Sequence, residues 1–424
     1  MRTLRHAVIL ALVTALPAAA QRPDSTRADS AARAKARADS IRLVRELEGM
    51  ARRDTVAISP PPSQVRQMGP TNPRLLPDIS AVGDLVGDLS PKGSTQEDGT
   101  RFSVREVEVA VQAAVDPFFR GDVFLGISDL EKISIEQAYL TATSLPWHLE
   151  VRLGRYLMPV GKQNTTHRHD LHTVEYPYIV QRFFAPDGLK GTGVYVSRVF
   201  SPFGFYQEVI LTATDRFGEA PESLTATEPA NKKLSGLGFS ARVRNYWDLS
   251  EASNIELSAS AITGRREQPL AAPVGDINAA LARQSVVGAD FTYRWRPLQQ
   301  GLYRSFILQA EFMKQLNPGS VSLPASLAQA EYAGPTRNYS GAYVFARYQV
   351  RTRSYLGARY DWVQDPEADG VSLHAGTALL EFFPSEFSKL VAGVELLSHR
   401  STGTTTRLLM QASFALGPHK PHPF

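Results

Sequence analysis

Hydrophobic and polar residues alternate along most of the chain after residue 77, a pattern typical of β-strands whose two faces contact different media. Val107, Val109 and Val111 share one face of the first clear example, whereas Glu106 and Glu108 share the other. The same period of two recurs in VVGADFTYRWR (286–296), SYLGARYDWVQD (354–365) and TRLLMQASFALG (406–417). The pattern therefore predicts many strands with one apolar and one polar face.

Sixteen such strands are predicted, most of them longer than the roughly 5–6 residues usual in soluble proteins. Their length suits a bilayer, which a tilted strand crosses in about 9–11 residues. An even strand number is typical of bacterial outer-membrane barrels, so we predict an all-β, sixteen-stranded antiparallel transmembrane β-barrel. The predicted strands are 77–89, 102–115, 118–129, 133–144, 148–157, 192–200, 205–214, 236–247, 254–263, 285–296, 305–315, 340–351, 354–363, 372–383, 388–398 and 407–417.

The connections between these strands alternate in length, as short periplasmic turns and long outer loops do in such barrels. Short connections include DPFF, LPWH and SPFG, and the long ones are 90–101, 158–191, 215–235, 264–284 and 316–339. Trp147, Trp247, Trp295 and Trp362 fall near strand ends, where a membrane interface would place them. The alternative is a soluble β-sandwich or repeat protein, for which we would expect shorter strands.

The residues before the barrel predict an exported protein. Residues 1–20 combine Arg2 and Arg5 with an apolar run and Ala18–Ala20, the pattern of a signal peptide. Residues 21–76 predict a periplasmic helix and a Pro-rich linker, and residues 77–424 the outer-membrane barrel. Loss of Arg2 and Arg5 would lower the net charge from +4 to +2 (4 − 2), which gives no case for nucleic acid. The chain has no cysteine, which excludes disulfides and thiolate metal sites.

The predicted barrel resembles the porin superfamily that includes phosphate-selective porins. LEVRLGRYLMPVGK (149–162) and IVQRFFAPDGLKGTGVYVS (179–197) are similar to the segments that flank the third loop in porin-like outer-membrane proteins. The resemblance implies a third outer loop, residues 157–191, that folds into the lumen and forms its narrowest point. It does not extend to phosphate specificity, because arginines and carboxylates alternate in sign on the inward faces. Some similar proteins are described as zinc-regulated outer-membrane receptors.

The loop's centre reads THRHDLH (Thr166–His172) and holds three of the chain's nine histidines. We predict that charged residues of this loop and of the facing wall screen permeating solutes. These pore-constriction residues are Lys162, His167, Arg168, His169, Asp170, His172, Glu175 and Arg182 in the loop, with Glu108, Arg120, Arg152 and Arg155 on the wall.

The histidines allow two interpretations. His167, His169 and His172 have the donor type that zinc prefers, although their spacing matches no established site. Alternatively they are solvated side chains that titrate at about pH 6–7. No nucleophile, base and oxyanion donor can be paired by position, so we expect no enzymatic activity.

The sequence therefore predicts an outer-membrane porin that passes small hydrophilic solutes or ions by passive diffusion. A zinc-related uptake or binding protein and a closed structural or adhesive barrel are the alternatives. The expected partners are outer-membrane lipid, small hydrophilic solutes and two further copies of the chain in a homotrimer, with no required cofactor. The chain ends in Phe424, an aromatic residue like those that terminate many barrel proteins.

Overall fold

A computed structural model describes one closed antiparallel barrel of sixteen strands, as the alternation predicted. Each strand pairs with its neighbours in sequence, and β1 pairs with β16 to close the sheet, for example through Ala81 and Leu416. In the described residues no helix is both long and apolar enough to span a bilayer. The described residues are 76–96, 99–128, 132–218, 224–226 and 233–418.

The strands are β1 (Asp78–Asp88), β2 (Phe102–Ala114), β3 (Phe119–Ser128), β4 (Lys132–Ala142), β5 (Leu149–Leu157), β6 (Lys190–Phe200), β7 (Tyr206–Thr214), β8 (Gly238–Ser250), β9 (Ser253–Val274), β10 (Ile277–Trp295), β11 (Phe306–Leu316), β12 (Tyr339–Arg351), β13 (Ser354–Asp365), β14 (Val371–Ser385), β15 (Ser388–His399) and β16 (Gly403–Leu416). One α-helix, α1 (Tyr178–Phe183), lies between β5 and β6. The predicted signal peptide, the helical arm before residue 76 and the C-terminal residues 419–424 lie outside the described residues.

The prediction of an outer loop at residues 264–284 is wrong. Residues 264–284 form the distal half of a long hairpin, because β9 and β10 continue pairing up to Val274 and Ile277. The alternation breaks there because residues 265–268 read RREQ, four polar residues in succession. Leu270 and Ala280 instead pack with Leu327 of the following connection, which covers the hairpin.

The two faces of the wall differ as the alternation predicted. Large apolar side chains such as Leu153 and Leu211 are about half exposed on the outside, at 51% and 53%. Inward positions carry buried charges, for example Asp290 and Glu311, both 2% exposed. A barrel of sixteen strands is wide enough to leave an aqueous interior, where charged groups remain hydrated or paired.

The segment between β5 and β6, residues 158–189, is called the third loop below. It folds into the lumen and contributes much of the main buried apolar cluster. Irregular backbone at membrane depth is stable only where protein or water satisfies its polar groups. Its buried apolar residues include Met158, Val160, Leu171, Tyr176, Ile179 and Phe183.

Candidate functional site

The third loop is bound tightly to the wall formed by β12–β16; this wall and α1 are called the filled side. The Lys389 ammonium, on β15, donates to the carbonyl oxygens of His169 and Leu171. Arg359, on β13, donates to the carbonyl oxygen of Glu175 at 2.8 Å. Charge-assisted bonds of this kind replace the hydrogen bonds that the loop backbone would otherwise make to water.

The first residue of α1 links the loop to three wall strands. The Tyr178 amide donates to Asp361 at 3.0 Å, and its hydroxyl donates to Glu395 at 2.8 Å. The same hydroxyl accepts from Arg407 at 2.9 Å, and Arg407 also donates to Glu395. The helix therefore begins in a fixed position against β13, β15 and β16.

His172 also lies on the filled side. Its Nδ1 is 3.3 Å from Glu381 and its Nε2 is 3.4 Å from Arg347, while its ring stacks on Phe345. Burial, followed by the positive charge of Arg347, lowers the pKa of His172. Its place is thus against the wall, away from the other two loop histidines.

Two cavities lie on the opposite side of the loop, along the wall of β1–β8, which is called the open side. The smaller, about 350 Å³, lies toward the long loops and is lined in part by Pro186 and Asp187. The larger, about 990 Å³, reaches the short turns and is lined in part by Arg120 and Arg152. Four residues line both cavities and form what we call the neck: Glu108, Gln137, Leu157 and His167.

The neck is narrowed by hydrogen bonds between the loop and the wall. His167 Nδ1 lies 2.8 Å from Glu108 Oε2 on β2, and its Nε2 lies 2.8 Å from Gln137 Nε2 on β4. Gln137 Oε1 accepts from the Leu157 amide at 3.2 Å, so its amide nitrogen donates to His167. His167 Nδ1 therefore carries the proton and donates it to Glu108.

Neighbouring charges shift the pKa values of two loop residues, His167 and Glu175, in opposite directions. Burial disfavours protonated His167, but the hydrogen bond and negative charge of Glu108 outweigh it, so the pKa of His167 is raised. Burial would raise the pKa of Glu175, but Arg168 and Arg105 outweigh it and lower that pKa to about 2. Arg168 and Arg105 approach Glu175 Oε2 at 2.7 and 3.5 Å.

Several predicted constriction residues line the open side. Arg152 stacks over the rings of Tyr139 and Tyr195, with its guanidinium carbon 5.2 and 4.7 Å from their centroids, and pairs with Glu150. Lys162 lines the larger cavity, and its ammonium binds both Glu256 carboxylate oxygens at 2.9 Å. His169 and Asp170 also line this cavity, and Arg168 lines the smaller one.

Four predicted constriction residues lie away from the neck. Arg120 is at the turn end of β3, half exposed and paired with Asp122. Arg182 binds Glu367 at 2.5 Å at the long-loop end of the filled side. Arg155 lines neither cavity, because strand alternation places it on the face of β5 opposite Arg152. His172 contacts Glu381 and Arg347 on the filled side.

The predicted histidine trio is replaced by a different cluster. Donor atoms of Glu108, His167 and His169 all lie within 4.8 Å of one another, an arrangement that could hold a metal ion. A wall carboxylate thus takes the place that the sequence suggested for His172. Zinc accepts this combination of two imidazoles and a carboxylate.

Sequence reasoning missed the neck partner Gln137 and the anchors Arg105 and Lys389. Gln137 and Lys389 occupy inward positions of predicted strands, so alternation could have nominated them as lumen residues. Their contacts with residues 167–175 span long sequence separations, which no local pattern encodes.

No known family model matches the chain. An uncharacterized protein of Aquifex aeolicus (strain VF5) is 24% identical over 346 residues, covering 76% of this chain and 70% of that protein.

Solved outer-membrane structures share the fold. A loop L8 deletion mutant of OmpT, an outer membrane protein of Vibrio cholerae, has a TM-score of 0.52 and 10% identity, covering 81% of this chain and all of that one. The high-pH structure of Pseudomonas putida OprB has a TM-score of 0.51 and 9% identity, covering 80% and 94%. At these identities the similarity concerns the fold alone. The chain has a porin-like β-barrel fold, as the resemblance of its sequence implied.

Proposed function

We propose that this chain is an outer-membrane porin through which small hydrophilic solutes diffuse passively, along the open side of the barrel. The observation that carries the proposal is the pair of cavities that meet at the neck. Together they form a nearly continuous polar path from the long-loop end to the short-turn end. In this assignment the long loops face the exterior and the short turns the periplasm.

The charges along the path favour a channel of weak ion selectivity. Most of them are paired with neighbours on the wall or in the loop, such as Arg152 with Glu150 and Lys162 with Glu256. The smaller cavity adds Arg168 and Lys190 as well as Glu106, Glu108, Glu136 and Asp187. Because opposite signs alternate, the lining presents no single-sign ring of the kind that selects ions strongly.

The proposal extends to location and assembly. An exported chain with this fold would insert in the outer membrane, with its N-terminal arm in the periplasm. One similar solved structure, of Vibrio cholerae OmpT, is described as a trimer form, with a TM-score of 0.51 and 9% identity, covering 80% of this chain and all of that one. We propose a homotrimer, which the mass of the purified protein in detergent would test.

The function is tested by recording single channels of the purified full chain in planar lipid bilayers. We expect stepwise openings, and a roughly two-fold higher conductance for His167→Ala, because it removes the side chain that narrows the neck. His172→Ala is the matched control in the same loop and should leave the conductance unchanged. A protein that inserts but conducts no ions would instead be the closed structural barrel. A higher conductance for His172→Ala, with an unchanged conductance for His167→Ala, would contradict the proposal. It would show that the path runs along the filled side.

A further inference from the structure

We infer that Glu108, His167 and His169 form a binding site for a divalent transition-metal ion, Zn²⁺ by ligand type, and that the bound ion closes the neck. The inference rests on the proposed function, because it names a regulator of the same path. Two of the three ligands, Glu108 and His167, already line both cavities, and the third lines the larger one.

The local fold brings the ligands together in a way that their spacing did not suggest. His167 precedes a single 3₁₀ turn, Arg168–Asp170, and His169 lies within it. The two histidines are two positions apart in the sequence, and the turn brings the centroids of their imidazole rings to a separation of 5.5 Å. Glu108 reaches the same point from β2, so the ligands come from a wall strand and the loop.

The distances are close to those of a coordinated ion. Zinc binds histidine nitrogen at about 2.0–2.1 Å and carboxylate oxygen at about 2.0–2.2 Å, so ligand atoms in a tetrahedral site lie roughly 3.3–3.5 Å apart. The Glu108–His167 pair stands at 2.8 Å as a hydrogen bond, and all three donor atoms lie within 4.8 Å of one another. Small side-chain rotations would open the first pair and draw in His169.

The surroundings favour a cation. His169 is 3% exposed, and its Nε2 lies 3.7 Å from Asp170 Oδ1, which brings a second carboxylate to the edge of the cluster. The larger cavity borders all four residues and gives a hydrated ion access to them. An imidazole pair, one buried and one partly exposed, beside two carboxylates offers ligands and charge compensation in the same place.

Gln137 would respond to the bound ion. An ion that binds His167 Nδ1 displaces the proton now shared with Glu108, and the neutral ring then carries its proton on Nε2. That nitrogen now accepts from Gln137, so the amide must rotate to offer its oxygen. Carboxylates commonly take this outer position beside metal-bound histidines. Replacing Gln137 by a carboxylate should therefore strengthen binding.

The test uses purified full-length protein in two measurements. Isothermal titration with ZnCl₂ measures binding independently of transport, and planar-bilayer recording with ZnCl₂ followed by EDTA measures closure. We expect one ion per chain and a loss of conductance that EDTA reverses. His169→Gln should weaken binding at least roughly tenfold, and Gln137→Glu should strengthen it, in line with the role of outer partners. His172→Gln is the matched control and should bind as the original chain does.

The outcomes separate this inference from the proposed function. If the protein binds no zinc and the conductance of its channels does not change with zinc, the metal site is refuted. The proposed porin function would be unaffected. Zinc binding that His172→Gln abolishes and His169→Gln leaves intact would also overturn it. Zinc binding by a protein that forms no channels would refute the porin and the closure, while the site itself would stand. As a control for folding, the circular dichroism spectrum of each variant should show the same β-sheet signal as that of the original chain.

Discussion

On the filled side of the barrel, charged wall residues bond to the third loop, whereas on the open side they bond mainly to one another. Arg359 and Asp361 both contact loop atoms, and both are almost completely buried. Arg120 and Asp122 have the same residue types and the same spacing on β3, but Arg120 is half exposed beside the larger cavity. The same local sequence thus serves as an anchor in one place and as a channel lining in the other.

The difference shows how a loop can leave half of a lumen open. Arg359, Asp361 and Lys389 on the filled side satisfy loop backbone groups that would otherwise need water. The loop can therefore pack against β12–β16 without solvent, and α1 lies close enough for Ile179 to approach Gly341 on β12. On the open side Arg105 on β2 donates to the Val174 carbonyl oxygen, and His167 bonds to both β2 and β4.

The strongest way to break the comparison is to remove the matched aspartates. Asp361→Ala leaves the buried Arg359 guanidinium without its main partner and should lower the free energy of unfolding by about 3–5 kcal/mol. Asp122→Ala affects a half-exposed pair and should cost less than about 1 kcal/mol. Urea unfolding in lipid vesicles measures both. Equal losses for the two variants would contradict the distinction between the sides.

A smaller effect is expected from removing one hydroxyl on each side. Tyr178→Phe leaves Glu395 and Arg407 without a shared partner and should cost about 1–3 kcal/mol. Tyr139→Phe keeps the ring beneath Arg152 and should change stability by less than about 0.5 kcal/mol. The same unfolding measurement applies. A larger loss of unfolding free energy for Tyr139→Phe would show that hydroxyl contacts on the open side also stabilise the fold.

A further expected effect is on acid stability. The pKa of Glu175 is lowered to about 2 in the folded chain, against a background of Arg168, Arg105 and Arg407, which stay charged. Its contribution is therefore complete above the unfolded value of about 4.5 and is lost as the pH falls toward 2. The melting temperature should decline over this range. In Glu175→Gln it should be lower at pH 7 and depend less on pH below 4.5, and an unchanged acid profile would count against this role.

Much of the architecture could be predicted because strand alternation is local. The inward face of β2 was readable from Glu106 and Glu108, and all sixteen strands were found. The distal half of the β9–β10 hairpin was missed because four successive polar residues, 265–268, interrupt the alternation. For the site, the sequence nominated the loop histidines and Glu108 but could not pair them.

By itself, the sequence determined the number of strands, the direction of their faces and the loop that carries the histidines, since each depends on neighbours in the chain. Only the tertiary structure decided that His167 reaches Glu108 while His172 turns to Glu381, contacts that span 59 and 209 residues. Closing the sheet brings distant strands to a common interior. The loop then takes the path on which the most buried polar groups find partners, and that choice depends on the whole barrel at once.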